Sequence, residues 1–281
     1  MKTIEEITDI LIEDKNLLFY KIMNYPIPRE KELFSLKKKE VSHKTEANNL
    51  FSWTQKNQTL KEYIKIINRY WRLYRSIPFI KHIYLCNSIT FNATNEDSDI
   101  DIFIITKEKA LRRARFFSWI FFSLLFLKRG KINKKKKFCL SFYTTIDNTN
   151  LYNISLPKSD IYLVYRIAHL VPLYQEERYN IYSDNSWIYS YLPNLPKNHN
   201  INIWTKKVNW KSSTKKLLEN IFWWYFWKLF EHLIKTIRLP IIIHKKNKLW
   251  KKWRWIIINN KMLKFHQDIR KKIYASFKTQ K

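Results

Sequence analysis

The chain has 281 residues, with 53 Lys and Arg against 23 Asp and Glu, for a formal net charge of +30. A hydrophobic content of 46 % with 17 % aromatics excludes a disordered chain, and a single glycine, Gly130, excludes collagen-like and Gly-rich architectures. Two cysteines, Cys86 and Cys139, are too few for a disulfide framework or a four-cysteine zinc site, so a reduced, cytoplasmic setting is expected.

In chain order, residues 1–20 carry acids throughout and have no uninterrupted apolar run, so no secretory leader is expected. Apolar residues near helical spacing predict a helix over 4–20. Pro26 and Pro28 end it, and a short second helix follows; this pattern is compatible with a winged-helix remnant or a simple helical lid. Leu60, Tyr63, Ile64, Ile67, Tyr70, Trp71 and Tyr74 predict an amphipathic helix over 59–75, closed before Pro78. A short strand over 82–86, a polar turn and an alternating strand over 99–106 come next. A helix over 107–128, a basic loop and a third strand over 138–146 follow. Ser159 or Asp160 caps a helix running to about Leu170, which Pro172 stops, and residues 182–192 form a further short helix. Residues 194–214 read as a linker, residues 213–238 as an aromatic helix and residues 266–278 as a last one.

Two apolar stretches require a membrane reading. Residues 116–127 are a strongly apolar stretch of only 12 residues between Arg112, Arg113 and Arg115 on one side and Lys128 and Arg129 on the other. A spanning helix needs about 20, so a buried or interfacial helix is expected. Residues 217–237 are interrupted by Glu219, Lys228, Glu231, His232 and Lys235, which fits packing between elements or lying on a membrane. A basic tract with interleaved tryptophans, residues 245–255, suits a helical cap, nucleic acid or an anionic bilayer.

Chemistry concentrates in residues 85–106. Asp99 and Asp101, two apart on a strand, present both carboxylates on one face, with Ile100, Ile102 and Ile104 on the other. Two hard oxygen ligands side by side suit Mg²⁺ or Mn²⁺. Taken alone, an Asp-x-Asp pair is common and far more often ends a turn with its acids facing solvent. Glu96 and Asp97 read as turn-shaping residues. His169, His232 and His266 show no metal-ligand spacing, and Cys86 and Cys139 read as core fillers on strands.

The context of the pair, Asn87-Ser88 at the end of a strand, ten residues, then Asp99-Ile100-Asp101-Ile102, resembles the nucleotidyltransferase superfamily with the DNA polymerase β-like fold. The RIAHLVPLY and SWIYSYLPN segments are similar to a group of bacterial nucleotidyltransferase-domain proteins. The resemblance implies an α/β (α+β) core with a small mixed sheet, flanked by N- and C-terminal helical segments. It places the boundaries at residues 1–57, 58–195 and 196–281. It implies metal on Asp99 and Asp101, with Asp147 as a candidate third carboxylate. Asn87, Ser88 and Arg115 would seat the triphosphate of an NTP, and a nucleoside monophosphate would pass to a hydroxyl or phosphate acceptor. The family's glycine is Asn87 here, and Asn is the non-glycine residue that best tolerates a left-handed backbone. The alternative is a catalytically degenerate member acting as a basic nucleic-acid-binding or membrane-surface module, peripheral to the inner membrane face.

Overall fold

The computed structural model describes residues 19–20, 23, 25, 58–130, 133–156, 160–197, 213–224 and 257–265. Expectations for the remaining N-terminal residues, the tract 245–255 and the helix over 266–278 lie outside the described residues. The described chain is mixed α/β around one six-stranded sheet.

Helix α1 (Gln58–Arg69) buries Leu60, Tyr63, Ile64 and Ile67, which recur at i, i+3, i+4 and i+7 on one face. It stops at Tyr70, whose φ of −99° and ψ of 18° break the expected single helix, and α2 (Trp71–Ser76) follows. Strand β1 (Ile80–Leu85) pairs antiparallel with β2 (Ile100–Thr106). Helix α3 (Leu111–Leu124) crosses over to β3 (Phe138–Thr145), which runs parallel to β2. A parallel neighbour requires such a crossover.

Asp160 caps α4 (Ile161–Ala168) by accepting from the Leu163 amide at 3.0 Å. Beyond it, β4 (Val171–Gln175) pairs antiparallel with β1. Pro172 hides this strand in the sequence; it is tolerated because β4 is an edge strand. The helix expected over 182–192 is two single turns, α5 (Ile181–Asp184) and α6 (Ile188–Tyr191).

The sheet order is β4-β1-β2-β3-β6-β5, with β5 (Ile257–Ile258) and β6 (Met262–Lys264) forming a hairpin beside β3. The boundary expected at 195/196 is therefore crossed by the sheet itself. Strands of two and three residues carry no readable alternation, which is why the sequence pattern passes over them. Helix α7 (Ser213–Trp224) is also tied to the core: Glu219 accepts from the Phe79 amide at 2.7 Å and pairs with Lys107 at 2.6 Å. Lys215 is buried against the Ile80 carbonyl, the Tyr174 hydroxyl and Glu176, and burial lowers its pKa.

Strand β2 is the centre of the core. Ile102, Phe103, Ile104 and Ile105 are buried on both faces, and each such side chain contributes about 1.5–3 kcal/mol. Helix α3 covers the face of Ile104 and Tyr143, which are paired in register, through residues such as Phe117 and Phe122. The opposite face carries Asp101, Phe103 and Phe142.

His82 on β1 is buried with its ring stacked on Tyr179 at 4.4 Å, and neither ring nitrogen has a hydrogen-bond partner among the described residues. Burial lowers its pKa from 6.5 to about 4. The unfolded chain therefore takes up this proton first. The stabilising contribution is complete above pH 6.5 and is lost as pH falls towards 4, by up to roughly 3 kcal/mol. His82→Phe keeps the stack and removes the titration. It should stabilise the chain by about 1 kcal/mol at neutral pH and flatten the acid limb of a urea-unfolding series across that window.

Candidate metal and phosphate site

The site is assembled where β1 ends and β2 begins. After Cys86 the chain makes one 3₁₀ turn, Asn87–Ile89, closed by the Thr90 and Phe91 amides donating to the Asn87 carbonyl at 3.0 and 3.2 Å. Asn87 has a φ of +64°, in the left-handed region that favours glycine. Its side chain turns back, and Nδ2 donates to Asp101 Oδ2 at 2.6 Å. Asn87 therefore provides the backbone bend and also holds one carboxylate, which glycine could not do. Ser88 is half-buried beside it.

The approach to β2 is a turn built on Asn95, whose Oδ1 accepts from the Asp97 amide at 3.1 Å and from Ser98 Oγ at 2.8 Å. Tyr63 of α1 clamps this turn by donating to the Ser98 and Glu96 carbonyls at 2.7 and 3.1 Å. Glu96 and Asp97 shape the turn, as their positions in the sequence suggest, and Asp99 follows directly.

Parallel pairing of β3 sets Cys139 opposite Asp101. One ligand atom each from Asp99, Asp101 and Cys139 lie within 4.8 Å of one another. Arg129 joins them: residues 127–129 run alongside the start of β3 through the Phe138 amide to the Leu127 carbonyl (2.7 Å) and the Arg129 amide to the Phe138 carbonyl (2.9 Å). The Arg129 guanidinium donates to Asp99 Oδ2 and lies 3.6 Å from Cys139 Sγ. Cys139 also contacts Ser141 Oγ at 3.1 Å.

Burial, and then the neighbouring charge of Asp101, raise the Asp99 pKa despite the opposing pull of Arg129. Burial and Asp101 likewise push the Cys139 and Cys86 thiols well up. Arg166 of α4 stands with its guanidinium 4.6 Å from the Tyr162 ring centroid. Its Nε is buried without a hydrogen-bond partner among the described residues. Its charge acts on Cys86, and it is close enough to feel Asp101.

The structure thus brings Asn87, Ser88, Asp99 and Asp101 together and leaves two expected residues elsewhere. Asp147 follows the far end of β3, where Thr145 pairs with Thr106; six residues of strand, roughly 20 Å, separate it from the carboxylates. It pairs instead with Lys261 at 2.8 Å, and the position beside Asp101 belongs to Cys139. Arg115 lies on α3, on the sheet face opposite Asp101, with its guanidinium 4.1 Å from the Phe265 ring centroid. Arg112 bonds Asn260 Oδ1 at 3.0 Å, so both arginines contact the segment of the β5–β6 hairpin. Arg129, Arg166 and Cys139 are the site residues that sequence reasoning missed. Only the RIAHLVPLY segment, which contains Arg166, carried a signal.

A scan against protein-family models gives no match, and neither the curated proteins nor the solved structures give one.

The backbone and side-chain roles of Asn87 can be separated. Asn87→Gly and Asn87→Ala both lose the bond to Asp101, but Ala keeps a Cβ at the left-handed position where Gly has none, a difference of about 1–2 kcal/mol. Chemical unfolding should rank Asn87→Ala below Asn87→Gly by that amount. Equal stabilities would show that the turn does not depend on the left-handed backbone.

Proposed function

We propose that the chain is a divalent-metal-dependent nucleotidyltransferase with a polymerase β-like core. The observation that carries this reading is the convergence of Asp99, Asp101 and the left-handed Asn87 turn at one end of a buried strand pair. In the proposed reaction an acceptor oxygen bonds to the α-phosphorus of an NTP. The bond from that phosphorus to the bridging oxygen breaks, and pyrophosphate leaves.

The donor set fits a divalent ion: two carboxylates and a thiol close enough to share one centre. Asp99 and Asp101 would hold the ion, and Cys139 stands at the third corner. Such an ion, when bound, neutralises triphosphate charge and acidifies the attacking hydroxyl. The chain's own residues do the rest. The Asn87–Ser88 turn borders the place for the triphosphate, and Asn87 Nδ2 orients the Asp101 carboxylate. Arg166, braced on Tyr162, supplies fixed positive charge. Arg129 is paired with Asp99; were that carboxylate to hold an ion, the guanidinium beside it would be available to phosphate oxygens.

The Arg129–Asp99 ion pair also favours a second reading, in which an arginine permanently replaces the ion and the fold serves as a basic nucleic-acid-binding module. The two readings separate by calorimetry. Under the first, Mg²⁺-dependent NTP binding weakens by about tenfold or more in Asp99→Asn/Asp101→Asn, the loss of a charge-assisted contact. Under the second, binding to RNA or DNA is steeply salt-dependent and ignores both Mg²⁺ and the aspartates.

The thiol at the third corner gives a further prediction. Cys139→Asp adds a hard oxygen ligand where the wild type has sulfur, and Mg²⁺ affinity measured by calorimetry should rise by about tenfold. An unchanged affinity would remove Cys139 from the ligand set.

A further inference from the structure

Away from the carboxylates, the C-terminal end of α3 exposes three large apolar side chains in succession. Leu124 is 73 % exposed, Leu125 47 % and Phe126 82 %. Phe126 has a φ of +55°, and this left-handed turn folds Leu127 back into the core while leaving the Phe126 ring in solvent. Trp119, one helical turn and more upstream, is also partly exposed, with the Lys128 ammonium 5.4 Å from its ring centroid.

Around this knuckle lies the lysine loop. Lys137 Nζ donates to the Phe126 carbonyl at 2.6 Å, which pins the loop to the knuckle. Lys128, Arg129, Lys134, Lys135, Lys136 and Lys137 give six cations, against which Glu96, Glu62 and Asp99 supply three paired carboxylates. Between the knuckle and the loop opens a cleft of about 300 Å³, lined among others by Ser123, Phe126, Lys128, Arg129 and Lys137.

We propose that this knuckle and its basic rim dock the protein onto an anionic phospholipid bilayer, with the leucines and Phe126 entering the acyl boundary and the cleft receiving a headgroup phosphate. The side chains decide between occupants. Phe126 and Trp119 offer rings, but Leu124 and Leu125 between them give a base nothing to stack on, so the patch as a whole suits hydrocarbon better than nucleic acid. Three residues cover far less than the roughly 800 Å² per partner of a stable protein interface. Hydrocarbon beneath a ring of lysines is the arrangement of an interfacial anchor. No helix among the described residues is long and apolar enough to cross a membrane, so α3 rests on the bilayer by its end. The cleft's Arg129 is also the partner of Asp99, and a bilayer held here lies at the edge of the carboxylate pair.

The test is cosedimentation of the full-length chain with phosphatidylcholine vesicles with and without phosphatidylserine. The wild type should partition onto the anionic vesicles, and Leu124→Ser/Phe126→Ser should lower that partition by about tenfold with an unchanged melting temperature. Phe126→Leu should restore most of it, and Lys128→Glu/Lys134→Glu should abolish the difference between the two vesicle types. An unchanged partition in the serine variant overturns the proposal. So does a lowered melting temperature, which assigns the knuckle to packing against the chain's own residues. A wild-type dimer that the serine variant dissociates, or RNA binding that it abolishes while vesicle binding persists, overturns it as well.

Discussion

Strand β2 is hydrogen-bonded along both edges and covered on both faces, and this double enclosure dictates where polar chemistry can sit. A carboxylate in the middle of such a strand would be stripped of water with no partner to replace it. At the strand's first residues it meets a turn, a crossover return and the start of β3, all of which bring polar groups. Asn87 comes from the end of β1, Arg129 from the return of α3 and Cys139 from the parallel neighbour. The site is thus a product of topology. A parallel β2–β3 pair demands a crossover, and the crossover delivers the arginine that meets Asp99.

The scarcity of glycine has a structural counterpart. Phe79, Asn87, Asn92, Lys109, Phe126 and Lys136 all adopt positive φ, while Gly130 does not. A Cβ added at Gly130 would find its nearest neighbours at 3.7 and 3.9 Å, ordinary contact distances. The chain therefore places side chains at left-handed positions throughout and keeps its one glycine where none is required. Asn87 is one instance of that habit, so its left-handed backbone is ordinary for this chain. What distinguishes it is the amide, which the turn puts to use on Asp101.

The α1 face, the alternation of β2 and the Asp160 cap were legible because each is set by residues a few positions apart. The Asp99–Asp101 pair was legible for the same reason, since a period of two fixes their common face. The residues around the pair depend on contacts that no local pattern records. Cys139 reaches Asp101 through a strand register, and Arg129 reaches Asp99 through a return loop. Asp147 looked close because it follows the right strand, yet it follows the wrong end of it. Arg115 is expected at the site only through the resemblance, and its helix packs on the other side of the sheet. The helix does end before Pro172, but the proline also lies in an edge strand that its presence conceals.

The pairing of β3 with β6 has a consequence for how the chain is made. Residues 142–144 wait for residues 262–264, some 264 − 142 = 122 positions later. At ~5–20 residues per second, synthesis leaves that strand edge open for roughly 6–24 s. An exposed edge of aromatic and β-branched residues is a template for pairing with other chains, so the nascent protein passes through a period in which a neighbouring ribosome's product is a competitor for its own C-terminus.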